Sequence, residues 1–368
     1  MNIAILGVGL IGGSIGLAAR RLDGARVRGF DLSSGALESA LRVGAIDEAC
    51  ESVEAALEDT RVCFVCCPVG ALEETVRAAL AAGGDCVVTD VGSTKHVVVE
   101  GVRTSGLSEE DAGRFVGGHP LAGAEASGVE HAREGLFDGA TWYLTPTERT
   151  SGMLYERLYR MLSDFGARPV AIDAATHDRL LATVSHLPHV LANVLVGQAA
   201  RALLEEGQRL PATGPSFRDA TRVAGTNPPV WRDIFISNRE AIEGELETYI
   251  SELRDVLETL RESDASGLER WIESARADRQ RLLELELAGG RVSELRVSVP
   301  NRPGIVAQVA LALGEAGVNI VDMALYPAPD MLSGAIALWI AGAESAERAL
   351  ELIADLGYPA TVVDNASI

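Results

Sequence analysis

A glycine-rich segment at residues 7–12, GVGLIG, constrains the fold of this chain more than any other feature. It follows a short apolar strand and opens a helical pattern, and Asp31 stands about 20 positions further on, at the end of the next strand. In such a unit Gly7 permits a tight turn, Gly9 lets the backbone approach a pyrophosphate, and Gly12 lets the helix pack close to the strand. The context predicts a dinucleotide site on a parallel α/β sheet.

The same segment indicates which dinucleotide binds. Free N–H groups at the helix start would receive the phosphate oxygens. The Asp31 carboxylate would accept hydrogen bonds from the ribose 2′-hydroxyl but repel a 2′-phosphate, so NAD is favoured over NADP. A later strand ends at Cys67 and Pro68, which would lie along the cofactor ribose, although a plain strand end stopped by proline explains them equally well. The predicted cofactor-binding residues are Gly7, Gly9, Leu10, Ile11, Gly12, Asp31, Cys67 and Pro68.

The chain divides into three regions by pattern. Residues 1–172 alternate apolar strands with amphipathic helices, which predicts a doubly wound, Rossmann-type α/β sheet. Residues 173–287 are helical, with single helices expected over 174–205, 231–262 and 266–287. Such long helices need partners for their apolar faces, so this region is expected to be a substrate domain that forms a homodimer. Residues 291–368 show a β-α-β-β-α-β order, which predicts a ferredoxin-like domain.

Composition narrows the class of partner. A net charge of -21 argues against binding to nucleic acid or to anionic membranes. The five cysteines are odd in number, and the CxxC pair Cys63 and Cys66 lies in a predicted strand that would aim them at opposite faces, so neither a disulfide framework nor a metal site is expected. The apolar N-terminus lacks the basic region of a signal peptide, and we expect no other uncharged run of membrane-spanning length. A cytoplasmic protein is predicted.

Two loops leave strands at the sheet edge where the cofactor would lie. The segment DVGSTK at 90–95 can supply the hydroxyl of Ser93, and GGHPLAGAE at 117–125 can supply the imidazole of His119. Histidine suits general-base work because its unperturbed pKa is about 6.5. Taken alone, His119 is explained as well by a structural role.

The helical region adds a second cluster. SHLPH at 185–189 lies within a long helix, where Pro188 is expected to break or kink the hydrogen-bond ladder and expose polar groups. Further along, Arg222 can offer a bidentate fork to a carboxylate.

The segments GVGLIGGS, DVGSTK, GGHPLAGAE, SHLPH and RDATRVAGTNPPVW, followed by the final domain, resemble the prephenate dehydrogenases that carry a C-terminal ACT domain. The resemblance covers essentially the whole chain. It implies an NAD-dependent enzyme of tyrosine biosynthesis that converts prephenate to 4-hydroxyphenylpyruvate and carbon dioxide. It also implies roles: His119 accepts the proton or hydrogen bond of the ring hydroxyl, Ser93 supports that hydroxyl and orients His119, Arg222 binds a substrate carboxylate, and His189 and Glu125 line the substrate pocket.

The final domain resembles the ACT signature at residues 299–305 and 317–320. The implied ligand is tyrosine acting as a feedback inhibitor, and the alternative is a structural or dimerising module. Asn301 departs from the aspartate that is frequent at its position. The predicted regulatory residues are Asn301, Pro303, Gly304, Ile305, Asn319 and Ile320.

Three other functions stay open from the sequence. Arogenate differs from prephenate only in its side chain and is the alternative substrate. Other NAD-linked hydroxy acid dehydrogenases usually rely on a lysine in the helical domain, and residues 174–287 contain none. A non-catalytic amino-acid sensor would keep the nucleotide fold without turnover.

Overall fold

The computed structural model describes residues 1–123, 126–205, 214–286, 292–300, 302, 304–327 and 333–363. These form two compact units, residues 1–250 and 251–368. The first unit contains one large sheet. Its strands are β1 (Asn2–Leu6), β2 (Arg26–Phe30), β3 (Glu48–Ala49), β4 (Thr60–Val65), β5 (Val87–Asp90), β6 (Phe115–Pro120), β7 (Thr141–Thr145) and β8 (Arg168–Ala171).

The helices of this unit cover the sheet and then continue beyond it. Those within the α/β region are α1 (Leu10–Ala18), α2 (Ser34–Val43), α3 (Val53–Leu57), α4 (Val69–Ala81), α5 (His96–Thr104), α6 (Glu109–Ala112) and α7 (Gly152–Asp164). Short 3₁₀ turns are found at Ala19–Arg21 and Val129–His131. Those that follow are α8 (Ala174–Leu181), α9 (Leu187–Glu205), α10 (Pro215–Thr221), α11 (Pro228–Ser237) and α12 (Arg239–Arg261), the last of which runs into the second unit.

The sheet has the order β3-β2-β1-β4-β5-β6-β7-β8 and is parallel from β3 to β6, while β7 runs antiparallel to β6. Its central strands are buried on both faces because successive side chains point to opposite sides. Ile5 and Phe64 join the apolar core on one face, whereas Leu6 and Val65 join the core on the other. The predicted doubly wound sheet is confirmed. The carboxyl ends of β1, β4, β5 and β6 therefore share one edge, where ligands bind in such sheets.

The cysteines behave as strand residues. Cys63 packs in one core and Cys66 against the other, so the two thiols of the CxxC sequence face opposite ways, as the strand alternation predicts. All five cysteines are free thiols, and burial raises the pKa of Cys63 and of Cys66.

The predicted helix over 174–205 is widened rather than broken by proline. Residues Ala182–His186 form a π-helical turn in which the Leu187 N–H bonds to the carbonyl of Ala182. Pro188 has no N–H to continue the ordinary ladder, so an added residue in the preceding turn lets the helix pass it. The helix is therefore not broken at Pro188, contrary to expectation, but is locally wider in the turn that precedes it.

Two other expectations fail in this region. The single helix over 231–262 is in fact two, because the helix stops at Asn238 before α12 begins. The expectation that no further uncharged run has membrane-spanning length is also wrong, since the helical stretch Ala174–Ala202 is long and apolar enough by length and composition. Several of its apolar side chains, including Val184 and Val194, are exposed.

The second unit holds helix α13 (Ala265–Glu286) and a small α/β domain with the elements β9 (Val292–Pro300), α14 (Ile305–Glu315), β10 (Ile320–Pro327), β11 (Ser333–Ala341), α15 (Ala343–Asp355) and β12 (Ala360–Val362). Its sheet has the order β10-β11-β9-β12, and its strands pair antiparallel. This is the predicted ferredoxin-like arrangement, packed on one core that includes Leu295, Leu313 and Ile353.

Candidate active site

The turn after β1 presents bare backbone at the start of a helix. Gly7 adopts a φ of +100°, and a Cβ on it would lie 2.8 Å from the backbone of Cys66. A Cβ on Gly12 would overlap the Gly7 carbonyl oxygen, so α1 packs directly against the turn. A Cβ on Gly9, just before α1, would enter open space. The turn therefore leaves the first N–H groups of α1 accessible to an anion.

Asp31 lies beside this turn. Its Oδ2 accepts a hydrogen bond of 2.9 Å from the Val8 N–H, and its Oδ1 accepts one of 2.8 Å from the Ser33 N–H. A carboxylate has about four lone-pair sites, so the partly exposed side chain keeps capacity for a further donor. The segment 32–35 that follows carries no cationic residue.

The other predicted nucleotide-binding residues surround the same edge. Cys67 and Pro68 lie just after β4, with Cys66 between them and the strand. Burial raises the pKa of the Cys67 thiol, which donates a hydrogen bond of 3.5 Å to Thr75. Leu10 is buried and Ile11 half-buried in the first turn of α1, so their side chains hold the helix on the sheet.

The only lysine in the sequence, Lys95, is fully buried behind the end of β6. Its ammonium pairs with the carboxylate of Asp90 and donates a hydrogen bond of 2.7 Å to the carbonyl of Gly118. Asp90 in turn accepts a hydrogen bond of 3.1 Å from the Gly118 N–H. Burial lowers the pKa of Lys95, and Asp90 opposes that shift. Asp90 and Lys95, here called the lysine clamp, thus hold Gly118, the residue before His119, from both sides.

His119 is buried at the end of β6 and hydrogen-bonded to another histidine. Its Nδ1 lies 2.9 Å from Nε2 of His177, whose own Nδ1 lies 2.7 Å from Oδ1 of Asp178. The ring of Tyr143, which faces His119 across β6 and β7, makes an edge contact with the His177 ring. Burial lowers the pKa of His119 well below 6.5, and His177 and Lys95 act in the same direction. The imidazole is therefore neutral at neutral pH and able to accept a proton.

Asp178, in α8, connects several elements. Its Oδ1 accepts a hydrogen bond from the Lys95 N–H and its Oδ2 accepts one from the His96 N–H, both of 2.8 Å. These N–H groups begin α5, so Asp178 caps that helix from a distant part of the chain. The Asp178 carbonyl accepts a hydrogen bond of 2.8 Å from the Asn238 side chain.

The SHLPH segment contributes two more imidazoles. Nδ1 of His186 accepts a hydrogen bond of 3.0 Å from the Asn238 side chain, and burial lowers the pKa of His186 to about 4. His189 stacks on Trp231 with ring centroids 3.4 Å apart, and its Nδ1 donates a hydrogen bond of 2.9 Å to the Ser185 carbonyl. A neutral His189 therefore keeps Nε2 as an acceptor.

Electrostatic interactions connect the predicted residues of the two regions. Burial lowers the pKa of His189, and the positive charge of Arg222 adds to this. His186 interacts electrostatically with both His119 and His189. Electrostatic interactions thus link His119 to His186, His186 to His189, and His189 to Arg222.

The two remaining predicted residues of the active site are Ser93 and Glu125. Ser93 is half-buried in the loop between β5 and α5, and among the described residues the partner of His119 Nδ1 is His177 rather than Ser93. Glu125 lies outside the described residues.

In the small domain, Gly304 precedes α14 with a φ of +87°, which favours glycine. Ile305 is buried, Ile320 half-buried and Asn319 exposed, while Asn301 and Pro303 lie outside the described residues. Among nearby side chains, Arg302 donates a hydrogen bond of 3.1 Å to the Tyr358 hydroxyl.

Comparison with known families covers most of the chain. Residues 15–171 match the nucleotide-binding domain of prephenate dehydrogenase, residues 173–274 match its dimerization domain, and residues 293–357 match the ACT domain. A prephenate dehydrogenase from Bacillus subtilis is 31% identical over 96% of this chain and 95% of the relative. The chain belongs to the prephenate dehydrogenase family. The resemblance drawn from its motifs is thereby confirmed.

Two solved structures of prephenate and arogenate dehydrogenases share the fold of about three quarters of the chain. The prephenate dehydrogenase of A. aeolicus, in complex with hydroxyphenyl propionate and NAD⁺, is 29% identical with a TM-score of 0.68. It covers 77% of this chain and 98% of its own. A Synechocystis arogenate dehydrogenase is 27% identical with a TM-score of 0.64, covering 77% of this chain and all of its own.

No role was predicted from the sequence for His177, Asp178, Lys95 or Asp90. A signal was available for one of them, because Lys95 is the only lysine among 32 cationic residues. The adjacent His177 and Asp178 carried no such signal, since a polar pair in a helix usually faces solvent.

Proposed function

We propose that this chain catalyses the NAD-dependent oxidative decarboxylation of prephenate to 4-hydroxyphenylpyruvate. The observation that carries the proposal is a buried, neutral His119 at the same edge of the sheet as the glycine turn, backed by His177 and Asp178. General bases need this combination of a deprotonated form and a fixed position. The family relationship supplies the substrate class.

The residues present fit a dinucleotide. The open space at Gly9 and the free N–H groups of α1 suit a pyrophosphate, and Asp31 keeps acceptor capacity for a ribose hydroxyl. When bound, NAD⁺ supplies a hydride acceptor. The residues proposed to hold it are those predicted from the sequence, with Cys67 and Pro68 along the ribose.

His119 moves one proton in the proposed reaction. Its neutral imidazole accepts the proton of the substrate 4-hydroxyl as the hydrogen on C4 leaves as hydride. The bond from the ring to its carboxylate then breaks, carbon dioxide departs, and the electron pair completes an aromatic phenolate. His119 returns its proton to that oxygen, so protons and charge balance. Ser93 is proposed to support the same hydroxyl.

Binding of the dianionic substrate is assigned to the helical region. Arg222 is exposed and lies within electrostatic reach of His189, so its guanidinium can hold a carboxylate beside that ring. Glu125 is proposed to line the pocket. Fixing the substrate beside His119 converts an encounter into a positioned reaction, which is a large part of such catalysis.

Steady-state assays test the proposal directly. NADH formation should be measured by absorbance with prephenate and, separately, with arogenate. Turnover of prephenate supports the proposal, whereas bound NAD without turnover of either substrate would instead favour the amino-acid sensor.

Arogenate is the second candidate because one contact favours it. His189 donates its Nδ1 proton to Ser185, so its neutral Nε2 can accept a hydrogen bond from the arogenate ammonium but cannot donate one to the prephenate keto group. Higher kcat/KM with arogenate would select this alternative.

We expect Asp31→Ser to narrow the preference for NAD over NADP. The substitution removes the carboxylate that would repel a 2′-phosphate, and it also removes the acceptor for the ribose hydroxyl. The measurement is kcat/KM with each cofactor at saturating substrate. Glu38→Ser, which removes a carboxylate from the exposed face of α2, is the matched control and should leave the ratio unchanged. An identical response of both variants would contradict the role of Asp31.

We further propose that the ACT domain binds tyrosine and inhibits the enzyme. The left-handed Gly304 before α14 and the exposed Asn319 before β10 suit an amino-acid ligand, with a helix N-terminus for its carboxylate. Asn301, Pro303, Ile305 and Ile320 complete the proposed site.

Tyrosine titration of the full chain should lower activity. Gly304→Val, which forces a branched side chain into a positive φ, should raise the tyrosine concentration needed for inhibition. Gly314→Ala in α14, where a Cβ meets open space, should respond like the wild type. Inhibition that is unaltered in the Gly304 variant would place the effector elsewhere.

The domain boundaries proposed are 1–172, 173–287 and 291–368. The exposed apolar side chains of the helical region support a homodimer formed through it, and size-exclusion chromatography with light scattering tests this. A cytoplasmic location is proposed from the acidic composition and the family of biosynthetic enzymes to which the chain belongs.

A further inference from the structure

The hydrogen bonds behind His119 form a directed series. Asp178 already accepts two backbone N–H groups, from Lys95 and His96, so both oxygens of its carboxylate are fixed as acceptors. A carboxylate cannot donate, so the proton in its 2.7 Å bond with His177 must sit on His177 Nδ1.

The proton on His177 Nδ1 also fixes the direction of the hydrogen bond between His177 and His119. A neutral His177 with its proton on Nδ1 has only a lone pair at Nε2. That atom lies 2.9 Å from Nδ1 of His119, so His119 must donate there. The remaining nitrogen of His119, Nε2, is then left with a lone pair.

We propose that His177 and Asp178 are positioning residues that fix His119 as the Nδ1–H tautomer, so that Nε2 is the atom that accepts the substrate proton. This rests on the proposed function for the identity of that proton. The wrong tautomer would present an N–H to the hydroxyl and could not act as a base. The residues that set the tautomer of His119 in the sheet therefore lie in α8, outside the α/β region.

The packing supports a single arrangement of the rings. His177 is fully buried, with its ring edge-on to His119 at a centroid distance of 5.1 Å and edge-on to Tyr143 at 5.5 Å. Asp178 is anchored by the N-terminus of α5 and, through its carbonyl, by Asn238. Neither ring can turn without breaking a buried hydrogen bond, which costs about 1–3 kcal/mol.

The competing arrangement has His177 doubly protonated. It would then donate from Nε2, and His119 would carry its proton on Nε2 instead. That state puts a fully buried imidazolium against His119, which already interacts with the cationic Lys95. The two arrangements predict opposite tautomers and can be separated by spectroscopy.

The full chain, labelled with ¹⁵N-histidine, contains only six imidazoles, and the signals of His119 are assigned by their loss in His119→Asn. We expect the Nδ1–H pattern for His119 without substrate. His177→Phe should abolish that preference, whereas His177→Gln should preserve it because its amide oxygen reaches roughly the position of Nε2 as an acceptor.

Kinetics give the second readout. His177→Phe should lower kcat, by up to roughly the 10⁴-fold loss that a wrongly protonated base suffers in a serine protease triad. KM and NAD affinity should stay near the wild-type values, and His177→Gln should recover most of kcat. A purely structural residue would instead change stability and KM together, with no recovery specific to glutamine.

Two results would overturn the proposal: an Nε2–H tautomer of His119 in the wild type, or an unchanged tautomer and kcat in His177→Phe. Failure of the proposed function is distinguishable, because the tautomer is read without substrate. A wild-type chain that shows the expected tautomer but turns over neither prephenate nor arogenate would reject the function and leave the tautomer assignment standing.

Discussion

The His119→Asn variant is expected to lose about 10²- to 10⁴-fold in kcat, the usual contribution of a general base. Asparagine keeps a polar side chain in the buried space but cannot take up the hydroxyl proton. Substrate binding rests mainly on the helical residues, so KM should change little. The measurement is steady-state NADH formation at saturating NAD⁺.

Arg222→Gln provides the contrast. It removes the proposed partner of a substrate carboxylate and leaves the proton acceptor intact, so KM should rise while kcat falls much less. If His119→Asn mainly raised KM and Arg222→Gln mainly lowered kcat, the two assignments would have to be exchanged.

The wild type should also keep activity below pH 6.5, because burial lowers the pKa of His119 and protonation ends its action only below that shifted value.

Lys95→Met is expected to destabilise the chain by about 3–5 kcal/mol, because it leaves the buried Asp90 carboxylate without its cation. It also frees the Gly118 carbonyl, so any folded protein should have a lower kcat through displacement of His119. Denaturant unfolding gives the stability, and the assay above gives the rate.

Two further variants make the result specific. Arg160→Met breaks an exposed ion pair with Glu156 and should hardly affect either quantity, since solvent screens such pairs. Lys95→Arg keeps the charge but adds a bulky planar group in a fully buried space, and should also impair folding or kcat. If Lys95→Met changed stability and kcat as little as Arg160→Met, the lysine clamp would not be what holds Gly118 in place.

The sheet and the glycine turn could be predicted because their determinants are local. A glycine such as Gly7 is needed where φ is positive, and the apolar runs of β1 and β4 show directly as buried strands. His119 was predicted for the same reason, since a polar residue at the end of a parallel strand lies where such sheets bind ligands.

The support behind His119 depends on tertiary structure and could not be predicted in the same way. His177 follows His119 by 58 positions, and no local pattern indicates that the two rings meet. The end of α11 also depends on tertiary contacts. Asn238 follows its last residue, and the Asn238 side chain forms hydrogen bonds with Asp178 and His186. Hydrophobic periodicity does not show such contacts, so the sequence predicted one continuous helix.

The burial of Lys95 has a practical use in conformational analysis. Acylating reagents attack unprotonated amines that solvent can reach, and this side chain has no exposed surface in the folded chain. Modification mapped to that one residue would report transient opening of the loop between β5 and α5. The rate of modification at low denaturant would separate local opening from global unfolding.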